Sequence, residues 1–486
     1  MERMIPKGLE PELVYEIFEE ISRIPRASGH EEQISEWLVA FADKYHLDSV
    51  QDKKGNVLIR KDGTSGKEDH PAVILQSHMD MVCEKVLESN HDFMKDPIRI
   101  SVEGDKIVAK ETTLGADNAL GMAYSLAILT LEDAPHPPLE VLVTVDEELG
   151  LTGAENFDAT QLKEKYFINL DSGDEGIFTA GSAGGPTIRA EIPLSRKEHA
   201  AEQVPYRLCV EGLLGGHSGE DIHRHRGNAN KLLFRLLDAL ERKGDFEMTS
   251  VSGGMAGNAI PRAAEAMLMI PAKDRQIFRD EVEKYNEIYR SEYRVSDPDI
   301  NVFLRPLEKE VSKVFTKDTM DRVIDFGVFC ENGILRMSPD VEGVVESSNN
   351  LRCVTTDDEK VTFVFVTRSF LESMYKTMEM NIDRLARNAG GSSHKEYDCL
   401  EWAYEPESEI RDLFIDVYQE LFHKEAKGVP VHTGLECGII AKNIGRKVDM
   451  ISIGSEIKES HKPGEWFSIS SAERYWKLLL EVLNRL

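Results

Sequence analysis

The chain has 486 residues, of which 87 are acidic and 58 basic, so its formal net charge is −29. This acidic balance argues against nucleic acid and anionic membranes as partners, because both select a basic face. No apolar run approaches the roughly 18 residues that a membrane-spanning helix requires. The length exceeds what one hydrophobic core usually supports, and we therefore expect two domains.

The cysteines and the N-terminal segment predict the compartment. The six cysteines are scattered, without a Cys-x-x-Cys pair, so neither a disulfide framework nor a structural zinc knuckle is expected. Residues 1–22 lack the apolar core of a signal peptide and have the pattern of a helix. We therefore expect a cytoplasmic protein in a reducing environment.

The first 185 residues alternate helical and strand patterns. Helices are predicted at 10–22, 31–45 and 118–132, and apolar runs predict strands at 57–60, 71–78, 139–148 and 166–171. Buried apolar strands that alternate with helices indicate an α/β layer with a mostly parallel sheet. Ligands of such sheets collect at the carboxyl ends of the strands.

From residue 186 the pattern becomes that of an α+β module. Strand 206–213, helix 228–243, strands 246–252 and 263–270, helix 274–293 and strand 299–306 follow the β-α-β-β-α-β order of a ferredoxin-like unit. Helix 317–328, strands 341–355 and 360–368, helix 370–389 and strand 392–401 repeat most of that order. Residues 186–400 are therefore predicted to form an inserted domain of two ferredoxin-like halves.

The remaining residues, 401–486, return to the α/β pattern. Helices are predicted at 409–424, 434–443 and 470–485, and a strand at 448–454. We expect these residues to complete a discontinuous domain with residues 1–185.

Acidic and imidazole side chains follow the predicted strands. His78 and Asp80 stand at the end of one strand, Glu147 and Glu148 end another, Asp171 ends a third, Asp117 lies in a glycine-containing loop before a helix, and His461 lies in a loop after the last strand. Each residue alone has an ordinary explanation as a turn former, a helix cap or a solvated side chain. Together, at one sheet edge, they favour the mixed nitrogen and oxygen ligand set of a catalytic zinc pair.

Six motifs carry a resemblance to a known family. LQSHMDMV, TTLGADN, DEELGLTGA, NLDSGDEG, GGHSGEDI and HTGLECG resemble those of the bacterial aminoacyl-histidine dipeptidases, the cytosolic non-specific dipeptidases. This group belongs to the co-catalytic dizinc metallopeptidases of the aminoacylase and carboxypeptidase type. The resemblance covers essentially the whole chain, and it implies a zinc-exopeptidase-like catalytic domain with an inserted lid. It also implies two divalent ions per chain, zinc by preference, with manganese or cobalt as alternatives.

The resemblance further implies a role for each residue. His78 and Asp171 would bind one metal ion, Glu148 and His461 the other, and Asp117 both, while Asp80 would orient the His78 ring. Glu147 would be the general base that takes a proton from the water between the ions. In the lid, His217 would support the oxyanion and Asn258 would donate a hydrogen bond to substrate, although a plain turn asparagine has the same pattern.

Three more residues are candidates for binding the substrate's ends. The planar guanidinium of Arg368, at the end of a predicted strand, suits a free α-carboxylate, although a surface arginine on an edge strand has the same pattern. Gly434 opens a predicted helix whose free N–H groups would meet an anionic group, and Glu436 would bind the α-ammonium group. A site that binds both ends across a short span would select two residues.

The predicted function is therefore the metal-dependent hydrolysis of dipeptides, including Xaa-His dipeptides. An aminoacylase or a tripeptidase with the same metal chemistry is the alternative, and a catalytically inactive binding protein is a third reading. The intact ligand set and Glu147 argue against the third. Relatives with a single lid unit take the lid histidine from a partner subunit. The doubled insertion predicts an active site complete within one chain, whether or not a homodimer forms.

Overall fold

The computed structural model describes residues 3–162, 165–200, 202–255, 257–308 and 311–486. The chain divides into two compact units. Unit 1 comprises Met1–Ser182, Tyr404–Pro430 and Leu435–Leu486, and unit 2 comprises Ala183–Ala403 and Val431–Gly434. The divisions after residues 182 and 403 each lie three residues from the positions expected from the sequence. The assignment of residues 431–434 to unit 2 was not expected.

The elements of the first segment of unit 1 are as follows. The helices are α1 (Glu12–Ile21), α2 (Glu32–Lys44), α3 (Ala116–Thr130), α4 (Glu147–Gly150) and α5 (Thr152–Asn156). The strands are β1 (Asp48–Gln51), β2 (Val57–Lys61), β3 (Val73–His78), β4 (Ser101–Glu103), β5 (Lys106–Val108), β6 (Leu139–Thr144), β7 (Tyr166–Asn169) and β8 (Ile177–Ser182).

Unit 2 contributes eleven strands and four helices among the described residues. The strands are β9 (Gly185–Pro193), β10 (Arg196–Glu198), β11 (Gln203–Glu211), β12 (Glu247–Gly253), β13 (Ala264–Pro271), β14 (Asn301–Pro306), β15 (Lys313–Phe315), β16 (Gly333–Met337), β17 (Val345–Thr356), β18 (Lys360–Ser369) and β19 (Ser392–Cys399). The helices are α6 (Ala229–Glu241), α7 (Arg275–Glu292), α8 (Lys317–Phe329) and α9 (Glu372–Asn388).

The chain after Ala403 adds three helices and four strands. They are α10 (Glu409–Phe422), β20 (Lys427–Val431), α11 (Glu436–Ile444), β21 (Asp449–Ser452), β22 (Ile457–Lys458), β23 (Trp466–Ser468) and α12 (Ile469–Arg485). Among the described residues, no helix is both long enough and apolar enough to cross a membrane.

Unit 1 contains a mixed eight-stranded sheet of order β1-β2-β6-β3-β7-β21-β8-β20. Its four central strands, β6, β3, β7 and β21, are parallel, whereas β2 and β8 pair antiparallel with their inner neighbours. Every residue of β3 and β6 is buried, as expected for strands covered on both faces. The α/β fold class predicted from the apolar runs is confirmed, and the four parallel strands end at one edge.

The strand predicted over 139–148 is wrong at its end. β6 stops at Thr144, Asp146 adopts a left-handed conformation (φ 53°), and the short helix α4 begins at Glu147. The reason is a pair of hydrogen bonds from a residue distant in the sequence, because the carboxylate of Asp80 accepts the backbone N–H groups of Glu147 and Glu148. The side chains of the two glutamates therefore project from a helical turn and not from an extended strand.

The long sheet of unit 2 has the order β14-β11-β13-β12-β17-β18-β9-β19. Its first four strands, with α6 and α7, form a ferredoxin-like half in the predicted order. The second half consists of β9, α8, β17, β18, α9 and β19, so its first strand precedes the entire first half in the chain. The two halves join where Gly253 of β12 pairs with Val354 of β17.

Candidate active site

The predicted metal ligands and the predicted base lie at or after the carboxyl ends of the four parallel strands of unit 1 and at the start of α3. β3 ends at His78, whose Nδ1 lies 3.2 Å from Asp80 Oδ1. Asp80 also accepts hydrogen bonds from Ser28 Oγ at 2.7 Å and from the amides of Glu147 and Glu148 at 3.0 and 3.2 Å. Burial alone would raise the pKa of Asp80, yet the hydrogen bonds from His78, Ser28 and the Glu147 amide lower it to about 2. Asp80 is therefore an ionised carboxylate that fixes both the imidazole ring and the start of α4.

Asp117 lies in the first turn of α3 and presents one carboxylate oxygen to each of two imidazoles. Its Oδ1 is 3.1 Å from His78 Nε2, and its Oδ2 is 3.4 Å from His461 Nε2. His78 Nε2 also lies 3.5 Å from Asp171 Oδ1, and His461 Nε2 lies 3.1 Å from Glu148 Oε1. Asp117 thus lies between a His78–Asp171 pair and a His461–Glu148 pair, which the resemblance assigns to separate metal ions.

The electrostatics of this cluster fit divalent cations. The ion-pair partners of Asp117 are imidazoles, and hydrogen bonds to Asp117 and Glu148 raise the pKa of His461 to about 11. Burial raises the pKa of Asp171 to about 7, with the nearby charge of Asp117 adding to the shift. Protons on these side chains offset the repulsion between carboxylates that lie close together. A metal ion would supply the same positive charge and would use the same lone pairs.

The donor atoms are also close enough to share ions. One ligand atom each of His78, Asp117 and Glu148 lies within 4.8 Å of the other two. Imidazole nitrogens and carboxylate oxygens are the ligands of catalytic zinc, and they are also suitable for manganese and cobalt. The residues present therefore fit the metal ions that the sequence implies.

Glu147 neighbours the cluster without an ion-pair contact to it in the described set. Glu147 as a whole is partly exposed. Burial of its carboxyl group, together with the negative charges of Asp171, Glu148 and Glu436, raises the pKa of Glu147 well above the usual range. A carboxylate with a raised pKa can both accept and return a proton near neutral pH. This is the property that general acid–base chemistry requires.

Glu436 lies at the first position of α11 and is 1% exposed. Its Oε2 accepts hydrogen bonds from Gln76 Nε2 at 2.6 Å and from Thr144 Oγ1 at 2.8 Å, while Oε1 is buried without a hydrogen-bond partner in the described part of the chain. Burial raises the pKa of Glu436 to about 8. The group is therefore a buried acid with one oxygen still able to accept a donor.

The prediction that Gly434 opens a helix is wrong. The helix α11 begins at Glu436, and its N-cap residue is Leu435 in extended conformation. Gly434 belongs to unit 2, where a Cβ atom would come within 2.5 Å of Cys399 Sγ. Close packing against Cys399 accounts for the glycine, and its N–H is not at a helix terminus.

In unit 2, His217 is held as a neutral imidazole with a defined tautomer. Its Nδ1 accepts the N–H groups of Gly219 at 3.2 Å and of Glu220 at 3.1 Å, so the ring proton lies on Nε2. Burial and the charge of Arg368 lower the pKa of His217. Asn258 is exposed, and its carbonyl accepts the Ser218 N–H at 2.7 Å, which ties its loop to that of His217.

Arg368 is not the exposed arginine of an edge strand. β18 lies between β17 and β9, and Arg368 is 8% exposed. Its charge also lowers the pKa of His432, although burial is the larger cause of the shift to about 3. His432 Nε2 lies 2.7 Å from Ser348 Oγ. The sequence offered His432 only as part of the motif HTGLECG, and its place beside Arg368 was missed.

Comparison with known proteins identifies the family. A family model for the M20 peptidase dimerisation domain matches residues 210–297, which span most of the first lid half. The chain is 36% identical over 480 residues to the cytosol non-specific dipeptidase of Escherichia coli (strain K12), with 98% of each chain covered. The protein therefore belongs to the M20 family of metallopeptidases.

The solved structures narrow the resemblance within that family. The aminoacylhistidine dipeptidase from Vibrio alginolyticus matches with a TM-score of 0.91 and 36% identity, over 99% of this chain and 97% of that one. The M20 family metallo-carboxypeptidase Sso-CP2 from Sulfolobus solfataricus, at 14% identity and a TM-score of 0.52 over 97% and 98% of the chains, shares the fold. The resemblance to bacterial aminoacyl-histidine dipeptidases that the motifs suggested is confirmed.

Gly115, just before Asp117, provides a test of how tightly this loop is packed. It has φ +66°, and a Cβ atom there would overlap Arg26 Nη2 and Met81 Sδ. We expect Gly115→Ala to lower the unfolding free energy by about 1–3 kcal/mol more than a backbone-matched control, because overpacking adds to the conformational cost. We also expect poorer metal retention after dialysis. Chemical denaturation of metal-stripped protein and elemental analysis are the measurements.

Gly104 supplies the matched control for this substitution. It has φ +60°, and no other atom lies within 4 Å of the position that a Cβ would take, so Gly104→Ala carries the conformational cost alone. Equal losses in the two variants would contradict the packing argument.

Proposed function

We propose that the protein is a cytoplasmic dimetal dipeptidase that hydrolyses unblocked dipeptides, including Xaa-His dipeptides. The observation that carries this proposal is the position of Asp117, which directs one carboxylate oxygen to His78 and the other to His461. The names of the relatives in Escherichia coli and Vibrio alginolyticus, both dipeptidases, support the reaction class, and the former is named as a cytosol enzyme.

Each metal ion has its own protein ligands in this proposal. His78 and Asp171 bind one ion, Glu148 and His461 bind the other, and Asp117 binds both. Zinc is the metal we propose, with manganese or cobalt as substitutes that the same donors accept. When bound, two such ions lower the pKa of a water molecule and polarise the scissile carbonyl.

Glu147 is the general base. Its carboxylate accepts the proton of the attacking water and then delivers it to the nitrogen of the leaving amine, so one group serves both steps. Asp80 is a positioning residue in this proposal. It accepts hydrogen bonds from His78 and from the amides of α4, and it therefore holds the base and the metal ligands in one arrangement.

The remaining site residues would recognise the substrate. The Nε2–H of His217 stabilises the oxyanion, a role that its acceptor Nδ1 supports by fixing the ring proton on Nε2. Arg368 binds the α-carboxylate, Asn258 donates to the substrate backbone, and the free Oε1 of Glu436 accepts from the α-ammonium group. This assignment predicts a preference for unblocked substrates of two residues.

A substrate panel tests this function. Metal-stripped and re-metallated protein would be assayed on dipeptides, tripeptides and N-acyl amino acids of matched sequence. We expect hydrolysis of free dipeptides, dependent on added metal. Preference for tripeptides or for N-acyl amino acids would assign the protein to the alternative activities.

The first residue to test is Glu147. We expect Glu147→Gln to retain two metal ions while kcat falls by about 10²–10⁴-fold, because the amide cannot accept a proton. Glu148→Gln, one residue along the same helix, is the matched control and should instead lose metal. Elemental analysis beside steady-state kinetics separates the two effects. A Glu147→Gln enzyme with full metal and near-normal kcat would remove Glu147 from this role.

A second prediction concerns the carboxylate end of the substrate. We expect Arg368→Lys to raise KM by about tenfold or more, because one point donor replaces a planar fork. Dipeptide amides should be poor substrates of the native enzyme, and the variant should lose the difference between acid and amide. Arg189→Lys, on the neighbouring strand β9, is the control. Equal kcat/KM for acids and amides would show that Arg368 does not bind the carboxylate.

A third prediction concerns the origin of His217. Two lid halves join in one continuous sheet within this chain, which supports an active site completed by a single chain. We expect no recovered activity when Glu147→Gln and His217→Ala proteins are mixed under subunit exchange, compared with each variant alone. Substantial recovery would mean that His217 acts across a dimer.

A further inference from the structure

Arg26, between α1 and α2, is 1% exposed and has no part in the reaction described above. Its Nη1 donates to the carbonyl oxygens of Met79 at 3.1 Å and Asp80 at 2.9 Å, and its Nη2 donates to that of Gly115 at 2.6 Å. One guanidinium therefore joins the loop after β3 to the loop before α3. Burial lowers the pKa of Arg26, because a cation withdrawn from water loses its hydration.

Glu465, after His461 in the same loop, is also 1% exposed. Its Oε2 accepts the N–H groups of Leu114 and Gly115, both at 2.8 Å, and its Oε1 lies 3.3 Å from the N–H of Asp117. The carboxylate therefore ties the His461 loop to the backbone of the Asp117 loop. The negative charge of Glu465 opposes the lowering of the Arg26 pKa by burial.

Arg26 and Glu465 bind the same short segment, one through a backbone carbonyl group and the other through backbone N–H groups. Arg26 takes a carbonyl of the segment 114–117, and Glu465 takes three of its amides. Arg26 also binds the loop that follows His78, and Glu465 belongs to the loop that carries His461. We propose that Arg26 and Glu465 are positioning residues that set the separation of the two metal ions by fixing Asp117 between His78 and His461.

The reason lies in the shared ligand. A displacement of Asp117 changes both coordination sites at once, whereas a displacement of His78 or His461 changes one. The segment that carries Asp117 includes a glycine with φ +66°, so its backbone has no side-chain restraint at that point. The hydrogen bonds of Arg26 and Glu465 supply the restraint instead. Outer partners of metal ligands typically alter metal affinity about 10–100-fold when removed.

This inference rests on the proposed dimetal function, and its test therefore reads the metal pair directly. Arg26→Lys keeps the charge but cannot reach both loops with a planar fork. Arg26→Met removes the charge. Glu465→Gln keeps the size but replaces one acceptor oxygen with a donor, against amides that are themselves donors. The conservative variants protect the test against a simple loss of folding.

Arg411 provides the matched control. It is a buried arginine of unit 1 whose Nη1 and Nη2 donate to the carbonyl oxygens of Glu405 at 2.6 Å and Pro406 at 2.7 Å. Arg411→Lys therefore removes the same kind of interaction without touching the metal ligands. Any general cost of losing a buried guanidinium appears in this variant too.

The probe is Mn²⁺, titrated into metal-stripped full-length protein and followed by electron paramagnetic resonance. Two Mn²⁺ ions bridged by one carboxylate are magnetically coupled and give a spectrum distinct from that of isolated ions. In Arg26→Lys and Glu465→Gln we expect at least one of the two ions to bind about tenfold or more weakly, with loss of the coupled signal. In Arg26→Met we expect a larger loss. kcat should fall more than KM changes.

The outcomes separate this inference from the function on which it rests. Native protein that binds two Mn²⁺ with a coupled spectrum, beside variants that lose the coupling and an unaffected Arg411→Lys, supports the proposal. Variants that retain two coupled ions at native affinity overturn it while leaving the dimetal function intact. Native protein that binds a single ion, or two uncoupled ones, overturns the dimetal site and this inference together.

Discussion

The placement of one carboxylate between two imidazoles is the constraint on which the site depends. Asp117, Asp171 and Glu148 lie close together where burial disfavours charge, and the two histidines offset their repulsion. Such a cluster requires cations or protons to exist at all, since like charges in a poorly solvated site repel strongly. The same property makes it suitable for metal ions. A site of this kind is costly to the folded protein and is held in place by its surroundings.

Those surroundings are mainly backbone groups oriented by buried charges. Asp80 accepts the first amides of α4, Glu465 accepts amides before α3, and Arg26 donates to carbonyls of both loops. The parallel strands bring the loops to one edge of the sheet. Hydrogen bonds from these charged side chains to the loop backbones then hold the loops together. The sheet therefore supplies the coarse position of the ligands, and buried ionic contacts supply the fine position.

The sequence predicts the coarse position well. Apolar runs located the strands, and polar residues directly after them, such as His78 and Asp171, could be placed at one sheet edge by the parallel topology alone. Their individual roles came from the family resemblance. Arg26 was missed because its contacts are with carbonyl oxygens, which no side-chain motif records. The helical turn at Glu147 was missed because it depends on Asp80, 67 residues earlier in the chain. His432 was missed because the residues on either side of it in the sequence belong mostly to unit 1, whereas Ser348 and Arg368 lie on strands of unit 2.

The nested topology of unit 2 imposes an order on its assembly. The four strands of the first half all lie within residues 203–306, so each meets its sheet neighbour within about one hundred residues of chain. In the described part of the chain, β9 pairs only with β18 and β19. Thr187 of β9, for example, pairs with Val366 and Tyr397, which are synthesised at least 179 residues later. During synthesis, the first half therefore emerges complete while β9, most of whose residues are buried in the folded sheet, remains unpaired ahead of it. Until residue 399 has left the ribosome, the edges of that strand are unpaired and open to aggregation.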